Sequence, residues 1–182
     1  MDLLFQFIGL PAKAPLDPRF ESESTLEVAT RRTSFDFHVR TELARDLYVE
    51  VKYTEDGFGG ARDDEEHRTK FQKIYVPLLK KTKYLVPACA ERSFFFRNYQ
   101  VLRNLLHITD TSDVAFLYPR ANMKVATQAA HAREAFLTQA GRGKLHLIEL
   151  EDFMTYLESH TTASPLAKHF SAFRAKYLGF VR

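Results

Sequence analysis

The chain has 182 residues and a mass of 21.1 kDa, with 45% hydrophobic and 27% charged residues; this suits one domain with its own core and excludes wholesale disorder. A single cysteine, Cys89, excludes an intrachain disulfide and any Cys-only zinc site, and fits a reducing cytoplasm. The net charge of +3 hides an asymmetry: His67–Thr109 holds nine Lys and Arg against one acid, Glu91, so it carries +8 and the remainder −5. Such a block suggests a surface facing a polyanion, and it fits a solvated Lys-rich helix face equally well.

The first ten residues are apolar but lack the basic start and small-residue cleavage site of a signal peptide. Pro11, Pro15 and Pro18 follow, so residues 1–20 read as a short helical segment and linker ahead of an α/β domain at 21–182. Thr25–Thr30 is a weak candidate strand. Ser34–Arg40 alternates strictly, with Phe35, Phe37 and Val39 on one side and Ser34, Asp36, His38 and Arg40 on the other. Leu47–Tyr53 repeats the pattern, setting Leu47, Val49, Val51 and Tyr53 against Tyr48, Glu50 and Lys52. The polar link Thr41–Asp46 has a hairpin loop's length.

After the Gly57–Gly60 loop, an apolar stripe of Phe71, Ile74, Tyr75, Leu78 and Leu79 predicts a helix from about Asp64, kinked or restarted at Pro77. Arg68, Lys70, Lys73, Lys80 and Lys81 lie off that stripe. A second helix is expected over about Glu91–His107, with Arg97, Gln100, Arg103 and Asn104 away from its apolar face. Val114–Tyr118 reads as a strand, Lys124–Ala140 as a helix ended by Gly141, and Leu145–Leu150 as a strand. Helices over about Glu151–Ser159 and Pro165–Leu178 follow. No apolar run approaches the ~20 residues of a membrane helix. The order predicts an α/β fold with a mixed central sheet flanked by helices.

If the two alternating segments pair as a hairpin, Asp36 lies opposite or diagonal to Glu50, with Lys52 two residues along on the same side. Two close carboxylates repel unless something positive sits between them. A divalent cation meets that need with oxygen ligands, lowers the pKa of a bound water and neutralises a phosphate. A neighbouring lysine can stabilise charge developing on phosphorus. Spacing alone fits a solvated strand face with Glu–Lys pairs just as well.

Thr33-Ser-Phe-Asp36-Phe, a short link and Val49-Glu50-Val51-Lys52-Tyr53-Thr54-Glu55, followed by Arg97-Asn-Tyr-Gln100-Val-Leu-Arg103-Asn104, resembles the PD-(D/E)XK nuclease superfamily and its bacterial restriction-endonuclease-like members. The resemblance runs from Ser34 to about Leu150. It implies a restriction-endonuclease-like core and a Mg²⁺- or Mn²⁺-dependent deoxyribonuclease. Asp36 and Glu50 would be metal ligands, Lys52 the catalytic lysine, and Gln100, with Arg97, a neighbour of the scissile phosphate. The basic helices, through Lys70, Lys73, Arg97 and Arg103, would bind DNA phosphates. A homodimer would let two sites cut two strands. Phe35 stands where the superfamily's name has proline. Members usually carry a further acid on a preceding helix, and Glu21, Glu23 and Glu27 are the candidates here. The alternative is a nuclease-fold protein that binds nucleic acid or a protein partner without cutting.

Of the other polar features, His38 reads as hydrogen-bonded on its strand, and Glu55 as a turn or salt-bridge residue. Asp63-Asp-Glu-Glu66 reads as the complement of a helix dipole. Cys89 has no triad context, Phe94-Phe-Phe96 reads as packing, and the seven histidines show no zinc spacing.

Overall fold

The computed structural model describes residues 2–11, 15–27, 32–41, 43–162 and 165–178. Among these, five extended segments form one sheet: β1 (Pro15–Glu23), β2 (Ser34–Thr41), β3 (Asp46–Val51), β4 (Ser112–Tyr118) and β5 (Leu145–Glu149), in that spatial order. The first three are an antiparallel meander; β3, β4 and β5 run parallel. Parallel neighbours need crossovers, and helices supply them. Between β3 and β4 lie α2 (Glu65–Lys70), α3 (Val76–Lys81), α4 (Arg92–Arg97) and α5 (Tyr99–Leu105); between β4 and β5 lie α6 (Met123–Ala135) and α7 (Gln139–Arg142). Before the sheet comes α1 (Asp2–Phe7), and after it α8 (Leu150–His160) and α9 (Leu166–Tyr177). This is the α/β fold with a mixed, helix-flanked sheet that the element order predicts.

Period-two alternation sorts the strands into two cores. Val114, Phe116, Tyr118 and Leu145 pack under the crossover helices with Phe71, Tyr75, Phe95, Leu102 and Leu105. Val39, Leu47, Val49, Ala115 and Ile148 pack on the opposite face with Phe5 of α1. There, Leu150 and Met154 of α8 meet Leu178, with Phe170 and Phe173 of α9 against them. β4 is buried on both faces, as expected for a strand enclosed by parallel neighbours.

Several expectations need correction. Pro15 and Pro18 stand inside β1 and do not form a linker. β1 is an edge strand, where a missing N–H breaks no interior ladder. Thr25–Glu27 is not a strand, and residues 28–30 lie outside the described residues. Phe35 leaves the face of Phe37 and Val39: its ring packs on Tyr48 at 4.9 Å and His107 at 4.8 Å. Pro77 restarts its helix as expected, and the strain is taken up by a π-helical turn at Phe71–Tyr75 just before α3. The helix expected over 91–107 divides at Asn98, whose side chain donates to Phe94 O at 2.9 Å. Gly141 does not end a long helix. It sits buried within α7, where an added Cβ would lie 2.5 Å from Tyr84 O.

His107 pins the segment after β1 to the end of α5. Its Nδ1–H donates to Arg103 O at 3.0 Å, so Nε2 accepts from the Ser24 hydroxyl at 2.7 Å. That tautomer requires a neutral ring, and burial pushes its pKa down to about 4. Between the ordinary value of ~6.5 and about 4 the unfolded chain binds the proton first, so stability falls as pH falls. The loss across that window is expected to be on the order of 3 kcal/mol. Urea unfolding from pH 7 to 4.5 should show a steeper loss for wild type than for His107→Gln; parallel curves would refute this account.

Candidate active site

The β2–β3 register ends at Phe37↔Val49, and its continuation sets Asp36 against Glu50. Asp36 does not extend the ladder. Its Oδ2 accepts from Val51 N at 2.6 Å, so a carboxylate stands where a strand carbonyl would. Glu50 faces the crossover helices and is 6% exposed; Lys52 is 5% exposed. Lys52 lies one residue beyond β3, held to β4 by its N–H on Leu117 O at 2.8 Å. Its Nζ is 3.0 Å from Glu50 Oε1 and 3.4 Å from Glu55 Oε1. Glu50 and Lys52 thus meet directly, while Asp36 is bonded to the Val51 N–H and acts on Glu50 through its charge.

Gln100 of α5 completes the group. Its Nε2 donates to Glu50 Oε1 at 2.9 Å, and its Oε1 accepts from Gly59 N at 3.1 Å. Gly59 O in turn accepts from Gln100 N at 2.9 Å, so one residue fastens the Gly57–Gly60 loop to Glu50. Gln128 of α6 holds the same loop through Phe58 N at 2.8 Å. Gly57 has φ +90°, open to glycine at no steric cost, and an added Cβ would strike Gln128. Burial lifts the Glu50 carboxyl above its ordinary range; Lys52 pulls it down and the charge on Asp36 pushes it further up.

A second buried carboxylate, Glu27, is 2% exposed. It accepts from the Thr33 hydroxyl and from Thr33 N at 3.3 Å, from the Tyr75 hydroxyl at 3.2 Å and from Arg103 at 3.2 Å, and Lys70 Nζ lies 3.5 Å away. Burial pushes this carboxyl up, but Thr33, Arg103 and Lys70 outweigh it and hold the group below its ordinary value. Of the three candidates for a further metal-binding acid, Glu21 and Glu23 are exposed on β1, which is a strand and not the expected helix, and Glu27 belongs to this network. Among the described residues no group of three or more His, Cys, Asp or Glu is placed to hold a metal. Asp36 and Glu50 remain as an oxygen-only pair. That pair fits a hard divalent ion such as Mg²⁺, which is bound by one or two carboxylates and takes its other ligands from water and phosphate.

A family model described as restriction endonuclease associating with ARP matches residues 1–178. The chain belongs to that family. Neither curated proteins nor solved structures give a match.

For a member of this restriction-endonuclease family, the placement of the expected DNA contacts matters. Lys73 and Arg97 are exposed. Lys70 and Arg103 are held by Glu27, so a phosphate would have to compete with a buried carboxylate for them. Among the remaining polar features, His38 bonds Asp46 at 2.9 Å, stacks on Tyr48 and does not join Asp36. Glu55 pairs with Lys52, and Asp64 caps α2 by accepting from His67 N at 2.9 Å. Cys89 is buried, which raises its thiol to about 11. Phe95 and Phe96 are core residues. No helix among the described residues is long and apolar enough to cross a membrane.

Sequence reasoning missed the Glu27 network, and it placed Asn104 on the polar side of its helix without giving it a role, whereas Asn104 is 1% exposed. Truncating Glu27 strands a half-buried Arg and Lys. Glu27→Ala is therefore expected to cost about 3–5 kcal/mol in chemical unfolding. Glu23→Ala, on the exposed strand, should stay within ~0.5 kcal/mol. Equal effects would show that the network does not anchor the loop.

Proposed function

We propose that this chain is a divalent-metal-dependent endonuclease that hydrolyses phosphodiester bonds in DNA. The observation that supports the reading is the Lys52–Glu50 contact at the end of one hairpin, with Gln100 bonded to Glu50 and Asp36 held on the neighbouring Val51 N–H. Asp36 and Glu50 would hold Mg²⁺ or Mn²⁺, which when bound supplies a water of lowered pKa and neutralises phosphate charge. Lys52, released from Glu50, would donate to the attacking water or to the oxygen that gains charge. Gln100 would keep Glu50 and the glycine loop in register. Lys73 and Arg97 would meet backbone phosphates, with Lys70 and Arg103 joining if Glu27 gives way. Two copies acting together would cut two strands, and the family's description adds an association with ARP.

A second reading is a nuclease fold that binds nucleic acid or a protein partner without cutting. It is favoured by the Lys52 ammonium lying on the Glu50 carboxylate and by the two-acid donor set.

Supercoiled plasmid separates the two. The nuclease should nick it with Mg²⁺ or Mn²⁺ and stop with EDTA, and Asp36→Ala and Lys52→Ala should each lower the rate by roughly 10²–10³-fold or more. DNA binding that weakens steeply with salt, without any cleavage, would select the second reading. Variants that cut as fast as wild type would remove the assigned roles.

A further inference from the structure

A small cleft opens where the glycine loop meets the break between α4 and α5 and the body of α6. It holds about 50 Å³ and is lined chiefly by Phe58, Arg97, Asn98, Gln128, His131 and Phe136. No described carboxylate lines it. Arg97 and His131 both stand exposed and make no ion pair among the described residues. In the same crossover Arg68, Arg92 and Arg103 each meet a carboxylate, so Arg97 is set apart from them. The rest of the lining is held in place. Gln128 Oε1 accepts from Phe58 N at 2.8 Å, which leaves the Nε2 donor of the same amide. Asn98 is tied to Phe94 O at 2.9 Å, and the Phe136 ring meets His131 edge-on at 5.3 Å. Phe58 also joins the cleft to the candidate active site, because Lys52 Nζ lies 5.9 Å from its ring centre.

Size and donor chemistry decide the ligand class. Pockets that enclose whole small molecules run to ~300 Å³ or more, so this cleft suits one compact group and not a nucleoside. An arginine, a histidine and an amide, with no acid beside them, suit an oxyanion, and a guanidinium binds phosphate through paired N–H groups. We propose that the cleft is a phosphate site, in which Arg97 and His131, with Gln128, grip one phosphate of a DNA backbone beside the candidate active site. The inference rests on the DNA-acting reading above and deepens it. It adds His131 and Gln128 of α6, a helix to which that reading gives no contact with the strand.

The test is fluorescence anisotropy of a labelled duplex of ~20 bp with the full chain, in EDTA so that nothing is cut, between about 50 and 200 mM salt. His131→Glu offers Arg97 a carboxylate in place of the phosphate. It should weaken binding about 10-fold or more and lower the slope of log affinity against log salt by about 1. His131→Lys fixes a cation at the same place and should tighten binding. His169→Glu, exposed on α9, changes the net charge equally and should stay within about 2-fold of wild type. Both histidines are exposed, so the variants should fold. Should His131→Glu not fold, His131→Lys carries the test, and no tightening overturns the proposal. Equal effects of His131→Glu and His169→Glu, or wild type that binds no duplex, would also overturn it. So would binding of inorganic phosphate that His131→Glu abolishes while the duplex affinity stays unchanged, which would mark a free-anion site. Plasmid nicking keeps the two readings apart. Cleavage by wild type together with normal duplex binding by His131→Glu brings down this inference alone. A duplex bound through His131 and never cut supports it and brings down the nuclease reading alone.

Discussion

Two carboxylates are forced together at the end of the β2–β3 hairpin, and much of the site's chemistry follows from that crowding. The apolar faces set the register. Val39, Leu47 and Val49 must face α1 and α8, so Glu50 must face the crossover helices. A slip of one residue would exchange the faces and bury Glu50 in an apolar core, so the hydrophobic pattern itself guards the juxtaposition. What balances the repulsion is local: Val51 N–H on Asp36, and Lys52 and Gln100 on Glu50. Burial still leaves Glu50 with a raised pKa. A buried ion pair seldom contributes more than apolar residues of the same volume. Two acids and a lysine at such a place thus add little to stability, and they suit the chemistry proposed for them.

Helix α5 then acts as a ruler between two polar clusters. Its 3.6-residue period sends Gln100 toward Glu50, Tyr99 and Arg103 toward the Glu27 network, and Val101, Leu102 and Leu105 into the core. Arg103 lies over the Tyr99 ring at 5.0 Å, which fixes its long side chain as it reaches Glu27. The segment after β1 is tied to the same helix twice, through Ser24 to His107 and through Glu27 to Arg103. A site carried on one helix and a strand end, with side chains locked by packing, is held more tightly than one built on loops alone.

What the sequence discloses and what it conceals divide along the range of the interaction. The strands around Asp36 and Glu50 are legible because alternation is a property of neighbours. The restart at Pro77 is legible because it follows from one missing N–H. β1 is hidden because its prolines are allowed only by its edge position, which depends on the whole sheet. Phe35 turns to the other face because Tyr48 and His107 offer it an aromatic seat, and His107 is 72 positions away in the chain. Gly141 reads as a helix stop, whereas its real constraint is the Tyr84 carbonyl. Glu27 could be named as a candidate acid, but its partners Tyr75, Lys70 and Arg103 come from two later helical segments and only folding gathers them.

The same distinction bears on charge. The nine cations between His67 and Thr109 look in sequence like a field facing a polyanion. Folding engages many of them. Arg68 and Arg92 meet Asp63, Lys83 meets Asp110, and Lys70 and Arg103 meet Glu27. These pairs are not equivalent. The exposed ones are worth at most about 1 kcal/mol each, so an approaching phosphate can replace the carboxylate with little loss. The two on Glu27 are half-buried, and replacing that carboxylate would detach the segment it anchors. A DNA backbone would therefore meet Lys73, Lys80, Lys81 and Arg97 first, which stand exposed, and the loosely paired Arg68, Arg92 and Lys83 next. Lys70 and Arg103 would join only if the segment after β1 shifts. Net charge read from the chain is thus an upper bound on the field a ligand meets, and the buried acid that lowers it lies beside the helix that carries Gln100.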